Sequence, residues 1–193
     1  MIVLQKFQEA DDEMDKCMPP IANDCSLQGI KPIMVDLPYP PTQVREMNTQ
    51  YADLLAVDYC GSVSELSAIL QYINNENRMS AERCTLVRTI LGIAMAEMIH
   101  LQKLAELIQL LGGYVCYEAK RPNGMWSPSC LTLPDCIPQM LQADIEAEEA
   151  AIRQYRMHIS AIRDDYVNAV LRRIIQDEEY HIMILRSLLN NGC

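Results

Sequence analysis

The sequence predicts an all-α protein, a four-helix bundle of two antiparallel helical hairpins joined by a long crossover and preceded by an irregular N-terminal arm. Three observations predict it. Half of the 193 residues are hydrophobic, with only 7 Gly against 12 Met and abundant Leu, Ile and Ala, a composition that favours helices over a turn-rich β fold. Apolar residues recur at three- and four-residue steps, as in Leu86, Ile90 and Ile93 and again in Leu104 and Ile108, the signature of an amphipathic helix. The third observation is a duplication. Glu65-Leu-Ser-Ala68-Ile69-Leu-Gln71-Tyr72 is followed after 24 intervening residues by Glu97-Met-Ile-His100, and Glu148-Glu-Ala-Ala151-Ile152-Arg-Gln154-Tyr155 is followed after 22 by Glu178-Glu-Tyr-His181.

Residues 1–41 form the arm, because Pro19, Pro20, Pro32, Pro38, Pro40 and Pro41 forbid a long helix there. Its apolar members Ile33, Met34, Val35, Leu37 and Tyr39 suit a segment lying along the bundle, which occupies residues 42–193. The first helix is expected from Thr42 to about Asn77, with a break at Cys60-Gly61-Ser62 and a restart on a Ser62-x-x-Glu65 capping box. The second runs from about Ser80 to Leu111 and stops at Gly112-Gly113. The third begins near Pro134-Asp135 and continues to about Ile162; the fourth opens at Asp164 or Asp165 and closes before Asn191. Short turns make each successive pair an antiparallel hairpin. The 23-residue link from Gly112 to Pro134 could reach about 75 Å at ~3.3 Å per residue, ample to run the length of a bundle of roughly 40 Å.

On a helix, positions i, i+3, i+4 and i+7 share a face. Glu65 therefore lies with Ala68, Ile69 and Tyr72, and Glu148 with Ala151, Ile152 and Tyr155, so both glutamates face the core with their apolar neighbours. In Glu97-x-x-His100 and Glu178-x-x-His181 a carboxylate and an imidazole stand one turn apart on one side, within reach of a single ion. Four buried carboxylates with two neutral imidazoles are intolerable without compensating cations. Two divalent ions neutralise them, one assigned to Glu97 and His100 and the other to Glu178 and His181, with Glu65 and Glu148 terminal or bridging. Oxygen and imidazole donors suit manganese or iron. Tyr72 and Tyr155 are candidates to hydrogen-bond the ligand carboxylates. Glu149 and Glu179, one position off the ligand face, are expected in solvent, His158 on a helix surface, and the methionines in the core.

A formal charge of -10 and a pI near 4.7 argue against nucleic acid or an anionic membrane as partner. The eight cysteines form no Cys-x-x-Cys pair, which removes zinc-ribbon, rubredoxin-like and thioredoxin-like readings. The N-terminal stretch lacks a basic n-region, and no run approaches the length of a transmembrane helix. The expectation is a cytoplasmic protein with mostly reduced thiols, Cys130 and Cys136 among them.

At these residues the chain resembles the ferritin-like superfamily, especially its manganese-catalase-like and rubrerythrin-like branches. Ala96-Glu97-Met98-Ile99-His100-Leu101 is similar to the second-helix metal motif of manganese catalases, Glu-Glu-Met-Ala-His-Leu, with Ala96 standing where the family has an acidic residue. Cys60-Gly61-Ser62-Val63-Ser64-Glu65 resembles their Gly-Gly-x-x-Gly-Glu segment, and Asp144-Ile145-Glu146-Ala147-Glu148-Glu149 the third-helix segment of short, spore-coat-type members. The resemblance spans about residues 48–190. It implies a dinuclear manganese or iron centre and dismutation of hydrogen peroxide by manganese, in a homo-oligomer. The alternatives are a di-iron oxidase or peroxidase that takes dioxygen or peroxide and draws electrons from an outside donor, and a non-catalytic, metal-stabilised structural or coat protein.

Overall fold

A computed structural model of the chain describes residues 27–79, 84–119 and 124–190. An extended run to Asn48 leads into α1 (Thr49–Cys60) and α2 (Glu65–Arg78), which together make one broken bundle helix, and α3 (Cys84–Leu110) completes the first hairpin. The crossover carries β1 (Glu118–Ala119), β2 (Gly124–Met125) and a 3-10 turn (Pro128–Cys130), before α4 (Ile137–Ala161) and α5 (Asp165–Asn190) form the second hairpin. The two strands pair antiparallel, Glu118 opposite Met125 and Ala119 opposite Gly124. Packing is densest within each hairpin, α2 on α3 and α4 on α5, and the hairpins meet through α2 with α4 and α3 with α5. Leu55, Ile90, Ile93, Leu104, Leu107, Leu141 and Leu171 are wholly buried between them.

Several boundaries depart from expectation for local reasons. Helix α1 starts at Thr49 and not at Thr42, because Asn48 caps it, accepting from the Gln50 and Tyr51 amides at 3.0 and 3.2 Å. Upstream, the Arg45 amide donates to Asp164 at 2.7 Å and the Asn48 amide to the Leu111 carbonyl at 2.9 Å, so this stretch spends its hydrogen bonds on the bundle. The cap of α2 is Ser64, which accepts from the Ser67 amide at 3.2 Å, and not Ser62. Helix α3 ends as expected at its glycines: Gly112 takes φ +81, its amide donates to the Gln109 carbonyl at 3.0 Å, and the Gly113 amide donates to Ile108 at 2.8 Å. That pair of bonds is a Schellman stop, which a residue with positive φ completes.

The crossover lies along α2. Trp126 Nε1 donates to Ser67 Oγ at 3.0 Å, the Thr132 amide to Gln71 Oε1 at 3.0 Å, and Arg78 to the Pro134 carbonyl at 2.9 Å. The methionines are a correction. Met79 and Met140 are buried, but Met47, Met98, Met125, Met157 and Met183 are between 45 and 77 % exposed. Met98, Met157 and Met183 sit one or two positions past Glu97, Tyr155 and His181, so the turn of the helix carries them away from the face that those residues occupy. Cys136 is disulfide-bonded where a plain thiol was expected, whereas Cys60, Cys116 and Cys130 are free. No described helix is long and apolar enough to cross a membrane.

Candidate metal centre

Glu65, on the first turn of α2, Glu97 and His100 on α3, Glu148 on α4, and Glu178 and His181 on α5 converge in the middle of the bundle, none more than 3 % exposed. They form two overlapping groups. Glu65, Glu97, His100 and Glu178 offer donor atoms within 4.8 Å of one another, as do Glu97, Glu148, Glu178 and His181. Glu97 turns Oε2 to His100 Nδ1 at 2.8 Å and Oε1 to His181 Nδ1 at 3.0 Å. Glu178 turns Oε1 to His100 Nδ1 at 3.2 Å and Oε2 to His181 Nδ1 at 3.1 Å. Glu97 and Glu178 are therefore shared between both groups, and the assignment of one Glu-x-x-His pair to each ion describes only half of their geometry. Glu65 stands 3.6 Å from His100 Nδ1, and Glu148 3.3 Å from His181 Nδ1, each on one side only.

Both imidazoles present Nδ1 inward and Nε2 outward. His100 Nε2 lies 3.2 Å from Asp177 Oδ2, and His181 Nε2 lies 2.7 Å from the Ile33 carbonyl oxygen. A carbonyl can only accept, so His181 carries its proton on Nε2, and in the neutral ring Nδ1 is a bare lone pair aimed at carboxylate oxygens. Glu97 Oε1, Glu178 Oε2 and His181 Nδ1 are buried, and their mutual approaches at 3.0 and 3.1 Å lack the angles of a hydrogen bond. So many converging acceptors favour positive charge between them, and this donor set fits two oxygen-loving divalent ions.

Electrostatics point the same way. With no metal charge present, burial pushes Glu148 up to about 8, helped by repulsion from Glu97 and Glu178. Glu65 is raised well above the ordinary carboxylate range by burial and then by the same two neighbours. Burial alone would depress His100 and His181, but the surrounding carboxylates raise both well above the usual imidazole value. Burial would also raise Glu97, but His100 and His181 outweigh it and hold that carboxyl below its ordinary range. In the absence of metal, protons take the place of the missing positive charge.

The two tyrosines cross over. Tyr72 Oη donates to Glu148 Oε1, and Tyr155 Oη donates to Glu65 Oε1, so each repeat's tyrosine holds the lone glutamate of the other. Sequence reasoning missed the layer behind them. Gln71 Nε2 and Asn75 Nδ2 donate to Asp144 Oδ1 at 2.8 and 2.9 Å, while Gln154 Nε2 and His158 Nδ1 lie 2.8 and 2.7 Å from the Asp58 carboxylate. The signal was present, because the repeat continues past Gln-Tyr to a polar residue three positions on, Asn75 or His158. His158 is accordingly a buried partner of Asp58 and not a surface histidine. Asp177, wholly buried, was missed because it lies one position off the ligand face. Glu149 and Glu179 pair with Arg186 and Arg156 at the surface, at 2.7 and 2.9 Å.

A cavity of about 340 Å³ opens between α2 and α4 and reaches Glu65, Glu148 and Glu178. Ser62, Ser64, Ser67 and the alanines at 68, 147 and 151 line it, and Ser129, Cys130 and Thr132 of the crossover border it. Such walls leave room for a small polar molecule.

Residues 64–192 match the family model described as Ferritin-like domain. A probable manganese catalase from Clostridium acetobutylicum is 26% identical over 168 residues, covering 77% of this chain and 74% of that protein. The crystal structure of KatB, a manganese catalase from Anabaena, superposes with a TM-score of 0.75 at 22% identity over 81% of this chain and 78% of that one. Mycobacterial bacterioferritin superposes with a TM-score of 0.60 at 24% identity over 75% of this chain and 86% of the other. At these identities the two structural matches are likenesses of fold.

Proposed function

The chain belongs to the ferritin-like domain family, and from that premise we propose that it binds two manganese or iron ions and disproportionates hydrogen peroxide. The observation that carries the reading is the pair of shared carboxylates, Glu97 and Glu178, each turning one oxygen to His100 and the other to His181. Glu65 and His100 would complete one ion's ligands, Glu148 and His181 the other's. Two redox-active ions, when bound, would relay two electrons from the peroxide that becomes dioxygen to the peroxide that becomes water. The overall change, two hydrogen peroxide to one dioxygen and two water, balances without an outside donor, and the chain has no Cys-x-x-Cys pair of the kind that carries a rubredoxin-like relay.

The residues' own contributions follow from their contacts. Tyr72 and Tyr155 orient the two lone carboxylates and satisfy one oxygen of each. The serine- and alanine-lined cavity admits a molecule of peroxide's size to Glu65, Glu148 and Glu178 while keeping bulk solvent away from the buried charges. Likeness to the probable manganese catalase of Clostridium acetobutylicum favours manganese. Likeness in fold to bacterioferritin keeps a second reading, a di-iron oxidase or peroxidase with an external donor. We also infer a homo-oligomer, by analogy with assembling members of the ferritin-like family.

Reconstitution separates these readings. Manganese-loaded protein should bind about two ions per chain and evolve dioxygen from peroxide with no reductant added. Peroxide consumption by the iron form that needs a reductant selects the second reading. A site filled with either ion but inert to peroxide ends both and leaves the metals a structural role. Light scattering reads the assembly state.

A further inference from the structure

The duplication makes position 96 the counterpart of position 177, since each directly precedes a Glu-x-x-His pair. The two are not alike. Asp177 supplies the carboxylate beside His100 Nε2, at 3.2 Å. Ala96 supplies nothing, and the acceptor for His181 Nε2 comes from the backbone of the N-terminal arm, the Ile33 carbonyl at 2.7 Å. We propose that the segment Ile33–Tyr39 is a working part of the metal centre, the Ile33 carbonyl replacing on His181 the carboxylate that Asp177 provides for His100. This rests on the reading that the cluster holds two ions.

Six contacts fix the segment where the role requires it. The Ile33 amide donates to the Gly92 carbonyl at 2.9 Å, laying the arm directly on α3. That approach needs glycine: a Cβ at position 92 would stand 2.8 Å from Ile33 Cγ1 and 3.1 Å from the Lys31 carbonyl. The Val35 amide and the Tyr39 hydroxyl donate to Asp177 at 2.8 and 2.9 Å, so the arm also braces the partner of His100. Arg173, the counterpart of Gly92 in the second repeat, donates to the Val35 and Leu37 carbonyls at 3.0 and 2.9 Å and lies 4.5 Å over the Tyr39 ring. The glycine lets the arm in at one histidine, and the arginine holds it at the other. Pinning the Nε2 proton fixes tautomer and ring angle, which keeps the Nδ1 lone pair aimed at the ion. Ile33 and Asp177 are positioning groups; neither touches the reacting molecule.

The test uses the full chain, with Mn(II) and diamagnetic Zn(II) as probes and three readouts: metal per chain, affinity by chelator competition, and the His181 tautomer by nitrogen-15 NMR of the zinc-loaded protein. Gly92→Leu should displace the arm and keep helical circular dichroism. It should weaken one of the two ions by 10-fold or more and leave His181 without its fixed Nε2 proton. Ala96→Asp added to Gly92→Leu should restore the lost affinity by returning a carboxylate to the vacated position, a rescue that a merely structural role would not produce. Two ions bound by Gly92→Leu at wild-type affinity, with the Ile33 and Val35 amides exchanging freely, would overturn the proposal. Should the variant not fold, the wild type decides: metal loading must slow hydrogen exchange at the Ile33 and Val35 amides by 10-fold or more, and equal exchange with and without metal overturns it. A wild-type chain that binds neither ion removes the dinuclear reading itself and this inference with it, an outcome distinct from two ions held without the arm's help.

Discussion

Tyr72 and Asp144 show how much of this centre is held by residues that would touch no ion. Tyr72 reaches across to Glu148 from the opposite hairpin, so Tyr72→Phe removes the donor that orients a lone carboxylate while leaving the packing of the ring intact. Metal affinity should fall by about 10-fold or more, measured by chelator competition, and Tyr155→Phe should act alike through Glu65. Asp144 is a cleaner probe of buried charge because it lies outside the ligand set. Burial raises its carboxyl to about 7, against the donations of Gln71 and Asn75. A group whose folded value is raised contributes stability that is complete below its unfolded value of 3.8 and is lost as pH climbs through about 7. Asp144→Asn removes that loss. In metal-free protein the variant should gain on the wild type by on the order of 2–4 kcal/mol between pH 4 and pH 8, read from urea unfolding at both values. An unchanged difference would show that Asp144 is not neutral at low pH.

Among the elements, the stop of α3 is where local chemistry and tertiary packing meet. A Cβ at Gly113 would stand 2.6 Å from the Cβ of Ala52 on α1, an atom that cannot swing aside. Gly113→Ala should therefore cost about 1–3 kcal/mol by forcing α1 off α3, seen as a lower denaturation midpoint with unchanged slope. That glycine pair was legible in the sequence as a stop, because helix termination is a local event. So were the bundle helices and the face carrying Glu65, Glu97, His100, Glu148, Glu178 and His181, since periodicity reports which side of a helix is apolar. What stayed hidden depends on contacts distant in sequence. The start of α1 at Thr49 reflects Asp164 and Leu111 capturing the Arg45 and Asn48 amides. The burial of His158 depends on Asp58, 100 residues away. The sharing of Glu97 and Glu178 between both groups follows from how two hairpins dock, which no single helix encodes.

For the whole molecule, the central balance is between protons and metal. Without ions, Glu65 and Glu148 are raised by burial and by Glu97 and Glu178, and His100 and His181 are raised by the carboxylates against burial. All four hold protons more tightly folded than unfolded, so each contributes stability that is lost as pH rises. For Glu148 the window runs from 4.5 to about 8, and the histidine contribution begins to fall above 6.5. Glu97 and Asp177 have the opposite sign, but their values are lowered from 4.5 and 3.8, so their losses come only in more acid solution. The metal-free protein should thus melt progressively lower from about pH 5 to about pH 8. Bound ions displace those protons and supply the charge at every pH, so the loaded protein should lack this slope and release protons on loading. Each site adds roughly 2.7 kcal/mol when free metal stands at about 100 times its dissociation constant. The gap between loaded and chelated melting temperatures must then widen with pH across that window. Parallel curves in calorimetry would mean that the six side chains do not share their charge with metal, and the dinuclear reading would fall.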